Sequence, residues 1–342
     1  LRYTSSRRRR GKMATDVSVE AYGAYVPRLR VEASEFEEAW GSFDARGVEE
    51  KRVPDADEDS VTMAVEAVED ALRWSAYSKD EVGTLVLGTT TPPLEEGEVG
   101  AQVAEILGMK TNTEVVVHSG SARAGVRSLV TACRSVETDE DMNASVAVAS
   151  DCPLGKPDDS IDHAGGAGAV AFVVGEEGDV NVKDTASYTQ EFSGTRFRER
   201  GEKAVKKYGA TAYERDAYTT VVSGAYEAIS PNDTQNAVLA PTAPDADMPY
   251  RAGRAVGTDV YETASSMGDT GAASALFGVL EGWQKDEDNV VAVGYGDGAS
   301  ADAVRLSGSF SGNWKHDTGT KKITYTEYLR RRGHVVDEGG DA

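Results

Sequence analysis

Ala164-Gly165-Gly166-Ala167-Gly168 runs straight into the apolar stretch AVAFVV at 169–174, and Gly294-Tyr295-Gly296-Asp297-Gly298 stands in the same way before the apolar residues 303–306. Each reads as a glycine-rich turn feeding a strand. Two such signals far apart suggest two halves of like construction, although α/β chains also place glycine turns at strand ends in general, so the periodicity alone leaves duplication open.

Upstream of the first turn the pattern switches regularly between strand and helix. Residues 17–27 (VSVEAYGAYVP) alternate apolar with small or polar residues and end at proline, as a strand does. Asp59-Ser60 caps a helical stretch to Trp74 with Val61, Ala64, Val65, Val68, Ala71 and Leu72 at helix-face spacing. A short strand TLVLG (84–88), a helix at 99–107, a strand at 115–117, a helix at 122–136 and a strand at 145–149 follow. The second half places a helix at 214–229, a strand at 237–239, a helix at 272–280 and a strand at 290–293. This rhythm predicts an α/β fold.

Composition narrows the function classes. The chain has 342 residues with 58 Asp and Glu against 36 Lys and Arg, a formal net charge of −22. The acids are dispersed along the whole length, which disfavours nucleic acid and anionic lipid as partners and fits adaptation to a salt-rich cytoplasm. No stretch approaches the roughly 20 apolar residues of a membrane span. Two cysteines (Cys133, Cys152) and four scattered histidines predict neither a disulfide framework nor a metal site. A cytoplasmic protein without a cofactor is expected. The opening residues 1–12 include Arg7-Arg8-Arg9-Arg10 and no acid, and read as a disordered basic extension ahead of Met13.

Several familiar motifs are missing or misplaced. There is no Walker loop, HExxH, paired CxxC or GxSxG. The glycines at 165–168 precede a strand and do not join a strand to a helix, so they do not make a dinucleotide fingerprint. The acidic run 55–59 (DADED) lacks the spacing of a calcium loop and suits a helix N-terminus.

Four stretches carry a family resemblance: YGAYVPRLRV at 22–31, EEKRVPDADEDSVTMAVEA at 49–67, YGDGASADA at 295–303 and ITYTEYLRRRG at 323–333. Together they resemble archaeal-type 3-hydroxy-3-methylglutaryl-CoA synthase, of the thiolase superfamily, over residues 19–333. The resemblance implies a thiolase fold of duplicated βαβαβαββ halves in five α-β-α-β-α layers. Residues 13–178 and 179–312 then form the two halves and 313–342 a C-terminal tail.

In active members of that family a cysteine accepts an acetyl group from acetyl-CoA, a glutamate acts as general acid and base, and histidines orient the second substrate. A thiolate at a helix N-terminus and backbone amides for the oxyanion complete the chemistry. The matching positions here carry other residues. Thr90 stands for the glutamate in Gly88-Thr89-Thr90-Thr91, and Ala122 for the cysteine before Arg123-Ala124-Gly125. Tyr208 and Ala240 stand for the two histidines, and Asp269 for the asparagine of a Gly-Asn-Thr turn. Backbone groups at Ala122, Gly296, Gly298 and Ala299 remain as an oxyanion or acyl-binding set.

The resemblance therefore implies a hydroxymethylglutaryl-CoA synthase-like protein that has lost the condensing machinery, binding acyl-CoA or serving as an assembly subunit. An acyltransferase or hydrolase using Tyr208 and Asp269 is the alternative. A homodimer is implied by the fold, and a thiolase and a small zinc-ribbon/OB-fold protein are partners by family analogy.

Overall fold

A strand sandwiched between two helical layers must be apolar on both faces. The segment Ala144–Asp151 meets that demand: all eight residues are buried, with Val146 and Val148 packed into one core cluster and Ala147 and Ala149 into another. The structure, a computed structural model, describes residues 17–139, 142–192, 196–207, 210–229, 236–298, 300–311, 314 and 319–335.

In chain order the strands are β1 Ser18–Tyr25, β2 Leu29–Glu32, β3 Glu50–Val53, β4 Val82–Gly88, β5 Glu114–His118, β6 Ala144–Asp151 and β7 Gly168–Gly175, followed by β8 Val180–Thr189, β9 Arg196–Phe197, β10 Lys206–Lys207, β11 Val238–Pro241, β12 Asn289–Gly296, β13 Ser300–Ser307 and β14 Lys321–Lys322. The helices are α1 Ala33–Trp40, α2 Ser60–Trp74, α3 Val99–Leu107, α4 Ala124–Thr138, α5 Ser160–Ala164, α6 Thr211–Ala228, α7 Met248–Val256, α8 Ala264–Met267, α9 Ser274–Gln284 and α10 Tyr325–Arg331.

The duplication is visible in strand order. The first half runs β5-β4-β6-β7-β1 across its sheet, and the second runs β11-β12-β13-β8, with Val260 bridged in parallel to Leu239 outside β11. Numbered within each half, both read third-second-fourth-fifth-first, the third strand of the second half being reduced to that single bridge. The halves meet where β1 pairs with β8 through Ser18↔Asn181 and Val19↔Val180.

Five layers follow from which residues face which core. Helices α2 and α3 cover the outer face of the first half, against Leu85, Leu87, Val146, Val148 and Val173. Helices α6 and α7 cover the second, against Leu239, Val291 and Val293. Between the sheets lie α4 and α9, with Val126, Leu129, Val130, Leu276, Phe277 and Leu280 buried against inward residues of both. Each such side chain contributes about 1.5–3 kcal/mol by leaving water. The expected thiolase-like five-layer fold is the one observed.

Local signals set the element ends. Asp59 caps α2, its Oδ1 accepting from Val61 N (2.9 Å) and Thr62 N (2.8 Å), while Thr62 Oγ1 accepts from Asp59 N. Two readings shift. Helix α4 begins at Ala124, because residues 120–123 form the turn leading into it. Gly294, Tyr295 and Gly296 lie inside β12, paired with 300–302 of β13, so the turn there is shorter than the glycine pattern suggested.

The small sheet β14-β2-β3, with α1 and α10, was not foreseen. It joins residues from both ends of the chain around Phe36, Leu29, Ile323, Tyr325 and Tyr328. At its centre Lys51 is fully buried. Its Nζ donates to the Asp162 carbonyl and to the Tyr328 hydroxyl (3.0 Å) and lies 4.8 and 4.2 Å from the ring centres of Phe36 and Tyr328. Burial pushes its pKa down to about 7. Among the described residues no helix is long and apolar enough to cross a membrane, and no cluster of His, Cys, Asp or Glu is arranged to hold a metal.

Candidate functional site

The turn between β5 and α4 presents Ser121-Ala122-Arg123 at the start of a helix whose first amides point toward it, with Ala124 N donating to Ser121 O (2.9 Å). Ala122 is only 7% exposed, so its methyl is packed rather than presented. Behind it α4 lies close against the 3₁₀ turn Gly271–Ala273: a Cβ on Gly125 would fall 1.8 Å from Ala272 O, which is why glycine is needed there. The position that the sequence reading matches to the family's cysteine carries only a methyl. The chain's two cysteines lie elsewhere, Cys133 within α4 and Cys152 just after β6. Burial pushes the Cys133 thiol up to about 12 and also raises that of Cys152, whose Sγ lies 3.7 Å from Thr91 Oγ1.

Thr90 follows β4, and its neighbourhood is organised by a residue the sequence reading passed over. Asp151, at the end of β6 and fully buried, accepts six hydrogen bonds. Oδ1 takes Thr90 N (2.7 Å), Thr91 N (2.9 Å), Thr91 Oγ1 (2.7 Å) and Thr89 Oγ1 (3.0 Å), and Oδ2 takes Thr90 Oγ1 (2.8 Å) and Ala272 N (2.7 Å). Burial raises its pKa against the pull of these donors. With donors on both oxygens, Asp151 fastens the Thr89–Thr91 turn to the Gly271–Ala273 turn.

Asp269 is likewise committed. Its side chain is 2% exposed, its Oδ2 pairs with the Arg196 guanidinium, and its Oδ1 accepts from Gly271 N (2.9 Å). Burial works against the charge on Arg196, but Asp269 and then Asp297 outweigh it and hold the guanidinium above its ordinary value. Ala240 sits in β11 opposite Ala292, a core methyl facing the middle layer. Gly296 packs on the Ala122 turn, since a Cβ there would lie 2.7 Å from Ser121 Oγ. Gly298 has a positive φ of 92° and its carbonyl accepts from Phe192 N (2.6 Å). Tyr208 and Ala299 lie outside the described residues. Thr90 and Asp269 are thus joined through Asp151 and the Gly271–Ala273 turn, which packs on α4 at Gly125, three residues beyond Ala122, while Gly296 rests on Ser121 and Arg123.

Beside this cluster opens a cavity of about 470 Å³ between α6, α7 and the loop before β3. It reaches the cluster at Arg196 and Asp297, and neither Thr90, Ala122 nor Ala240 lines it. Arg46, Arg215, Arg251 and Lys207 stand on its wall. Lys207 pairs with Glu214 (2.8 Å) and Arg251 with Asp247 (3.5 Å), whereas Arg46 and Arg215 have no ion-pair partner among the described residues. Arg46 and Arg215 thus offer guanidinium groups to a cavity whose wall also carries Asp44, Glu214, Asp245, Asp247 and Asp297. The signal for this region was present in sequence: RFRERGEKAVKK at 196–207 sets six cations against Glu199 and Glu202 in an otherwise acidic chain.

No family model matches the chain. It is similar to the hydroxymethylglutaryl-CoA synthase of Archaeoglobus fulgidus, at 26% identity over 93% of this chain and 99% of that one. That of Caldivirga maquilingensis is 29% identical over 85% and 87%. Among solved structures, a hydroxymethylglutaryl-CoA synthase complexed with CoA superposes with a TM-score of 0.80 at 15% identity, covering 92% of this chain and 90% of that one. The 3-oxoacyl-[acyl-carrier-protein] synthase III of Aquifex aeolicus gives 0.71 at 19%, covering 85% and 99%. The chain is thus similar to hydroxymethylglutaryl-CoA synthases and has a thiolase-like fold.

Proposed function

We propose that this chain binds a CoA-type ligand in the cavity beside the Ala122 turn and does not carry out the condensation its relatives are named for. The observation that carries the proposal is the buried methyl of Ala122 where the reaction needs a reachable thiolate. The other matched positions support the same reading. Thr90 Oγ1 is tied to Asp151, Asp269 to Arg196, and Ala240 is core. An acyltransferase or hydrolase drawing on Asp269 is disfavoured, because a carboxylate held by a buried guanidinium is a poor proton carrier.

The cavity supports binding. Arg46 and Arg215 offer guanidinium groups to the phosphates of a CoA, and two of the solved relatives are complexes with CoA or with a CoA thioester. A second copy pairing along β5 is part of the proposal. That edge strand is the last of its sheet, its side chains Val115 and Val116 are half-buried and Val117 is 37% exposed, and Ile106 of the neighbouring α3 is 59% exposed. Membership of an assembly with a thiolase and a zinc-ribbon/OB-fold protein rests on the family resemblance alone.

The test is a thermal shift with CoA and acetyl-CoA, since a ligand that binds only the folded state raises its stability by mass action. The proposal expects both to raise Tm. No shift at saturating ligand removes the binding role.

A further inference from the structure

Among the described residues, Arg196 and Asp297 stand where the cavity approaches the residues around Ala122. The Arg196 guanidinium lines the cavity, pairs with Asp269 on the Gly268-Asp269-Thr270 turn, and lies in the field of Asp297. Those two acids belong to different segments. Asp269 connects through Gly271 to the 3₁₀ turn that packs on α4 and is held by Asp151, while Asp297 follows Gly296, which rests on Ser121 and Arg123. Arg196, whose side chain is 13% exposed, therefore links the cavity wall to the Gly268–Ala273 segment that packs on α4 just beyond Ala122.

We infer that the Arg196–Asp269 pair is a plug that closes the cavity from the Ala122 turn, so that a bound ligand is recognised at its phosphate-bearing end and its acyl group is not read.

Three features make the plug rigid. Asp269 is fixed by its main chain as well as its side chain, its N–H donating to Ala164 O (2.7 Å) and its carbonyl accepting from Gly166 N (2.8 Å). Arg196 belongs to the hairpin β9–β10, which is anchored on other sides by Arg198 donating to Thr90 O (2.8 Å) and Val205 N donating to Leu154 O (2.7 Å). A buried charge pair also resists separation, because each ion left alone keeps its desolvation penalty. Arg196 is thereby a specificity-determining residue by exclusion: it sets how deep a ligand reaches. The consequence for ligand choice rests on the reading of the cavity as a CoA-type site, whereas the closure itself does not.

The closure is tested without any CoA. Ala122→Cys places a thiol at the turn, and the parent protein with its own Cys133 and Cys152 serves as the blank. With Arg196 in place the introduced thiol is expected to react with iodoacetamide at least about ten-fold more slowly than after the plug is removed, since thiol reactivity follows access as well as pKa. Removal is made as Arg196→Ala and, to avoid stranding a buried carboxylate, as the pair Arg196→Ala and Asp269→Asn. An introduced thiol that reacts at the rate of a free thiol with Arg196 present overturns the plug, as does one whose rate is unchanged when both members of the pair are replaced.

The ligand consequence is read separately. CoA, acetyl-CoA and hexanoyl-CoA are expected to bind the parent protein with affinities within about two-fold of one another, and the variant lacking both Arg196 and Asp269 to separate them. Clear acyl-chain discrimination by the parent protein overturns the inference. If none of the three binds while the introduced thiol is shielded, the CoA reading of the cavity fails and the plug stands.

Discussion

Replacing Asp151 tests how the ends of β4 and β6 are held together. Asp151→Asn keeps the shape but exchanges one acceptor for a donor. The best amide orientation leaves the oxygen at the Oδ1 position, where Thr90 N, Thr91 N and two hydroxyls are satisfied, and puts the NH₂ at the Oδ2 position. There Thr90 Oγ1 can rotate to accept, but Ala272 N–H faces another donor. One buried backbone N–H without an acceptor costs about 1–3 kcal/mol. Asp151→Ala leaves the backbone N–H groups of Thr90 and Ala272 without their acceptor, while Thr91 N keeps Thr89 Oγ1 (3.1 Å), and is expected to cost about 2–6 kcal/mol. Urea unfolding in concentrated KCl, followed by tryptophan fluorescence, gives both values on one scale. An Asn variant within about 0.5 kcal/mol of the parent, or an Ala variant no worse than the Asn one, would refute the account of Asp151 as the tie between the two turns.

Three further outcomes are expected. Lys51 has a folded pKa of about 7 against an ordinary value of 10.5, so the unfolded chain binds the extra proton between those limits and stability rises with pH; from about pH 7 to 9 the parent should gain roughly 2 kcal/mol more than Lys51→Met, and equal slopes in urea titrations would contradict the buried amine. Replacing Arg46 and Arg215 together with Ser should weaken CoA binding by about ten-fold or more in calorimetry, with the loss shrinking as KCl rises, and unchanged affinity would move the ligand elsewhere. A charge on the β5 edge, Val117→Lys, should turn a dimer into a monomer in sedimentation, and a dimer that persists excludes pairing along that strand.

The fold was legible because its signals are local and repeated. Strands buried on both faces, such as 169–174 and 84–88, read as continuous apolar runs, and the Asp59 cap marks its helix without tertiary help. The β2-β3-β14 sheet was illegible for the opposite reason. Its strands are four, four and two residues long and come from both ends of the chain, so no window of sequence contains it.

The site was read only as far as matched positions carry. Thr90, Ala122 and Asp269 were singled out as substitutions, and the link between Thr90 and the turn beside Asp269 emerges from Asp151, a single acid ending an apolar strand whose six hydrogen bonds come from two distant turns. Arg196 escaped because a buried cation is defined by its partner, and Asp269 is 73 residues away. The basic stretch 196–207, whose ends Arg196 and Lys207 line the cavity, contrasts with the acidic background, a signal that was available in the sequence and was not used.

Binding without acylation is decided most directly by incubating the protein with radiolabelled acetyl-CoA in concentrated KCl and passing it through gel filtration twice, once native and once denatured. The account predicts label that travels with the native protein and is lost completely on denaturation. Stoichiometric label that survives denaturation would show a covalent acyl-enzyme and contradict the claim that the condensing nucleophile is gone.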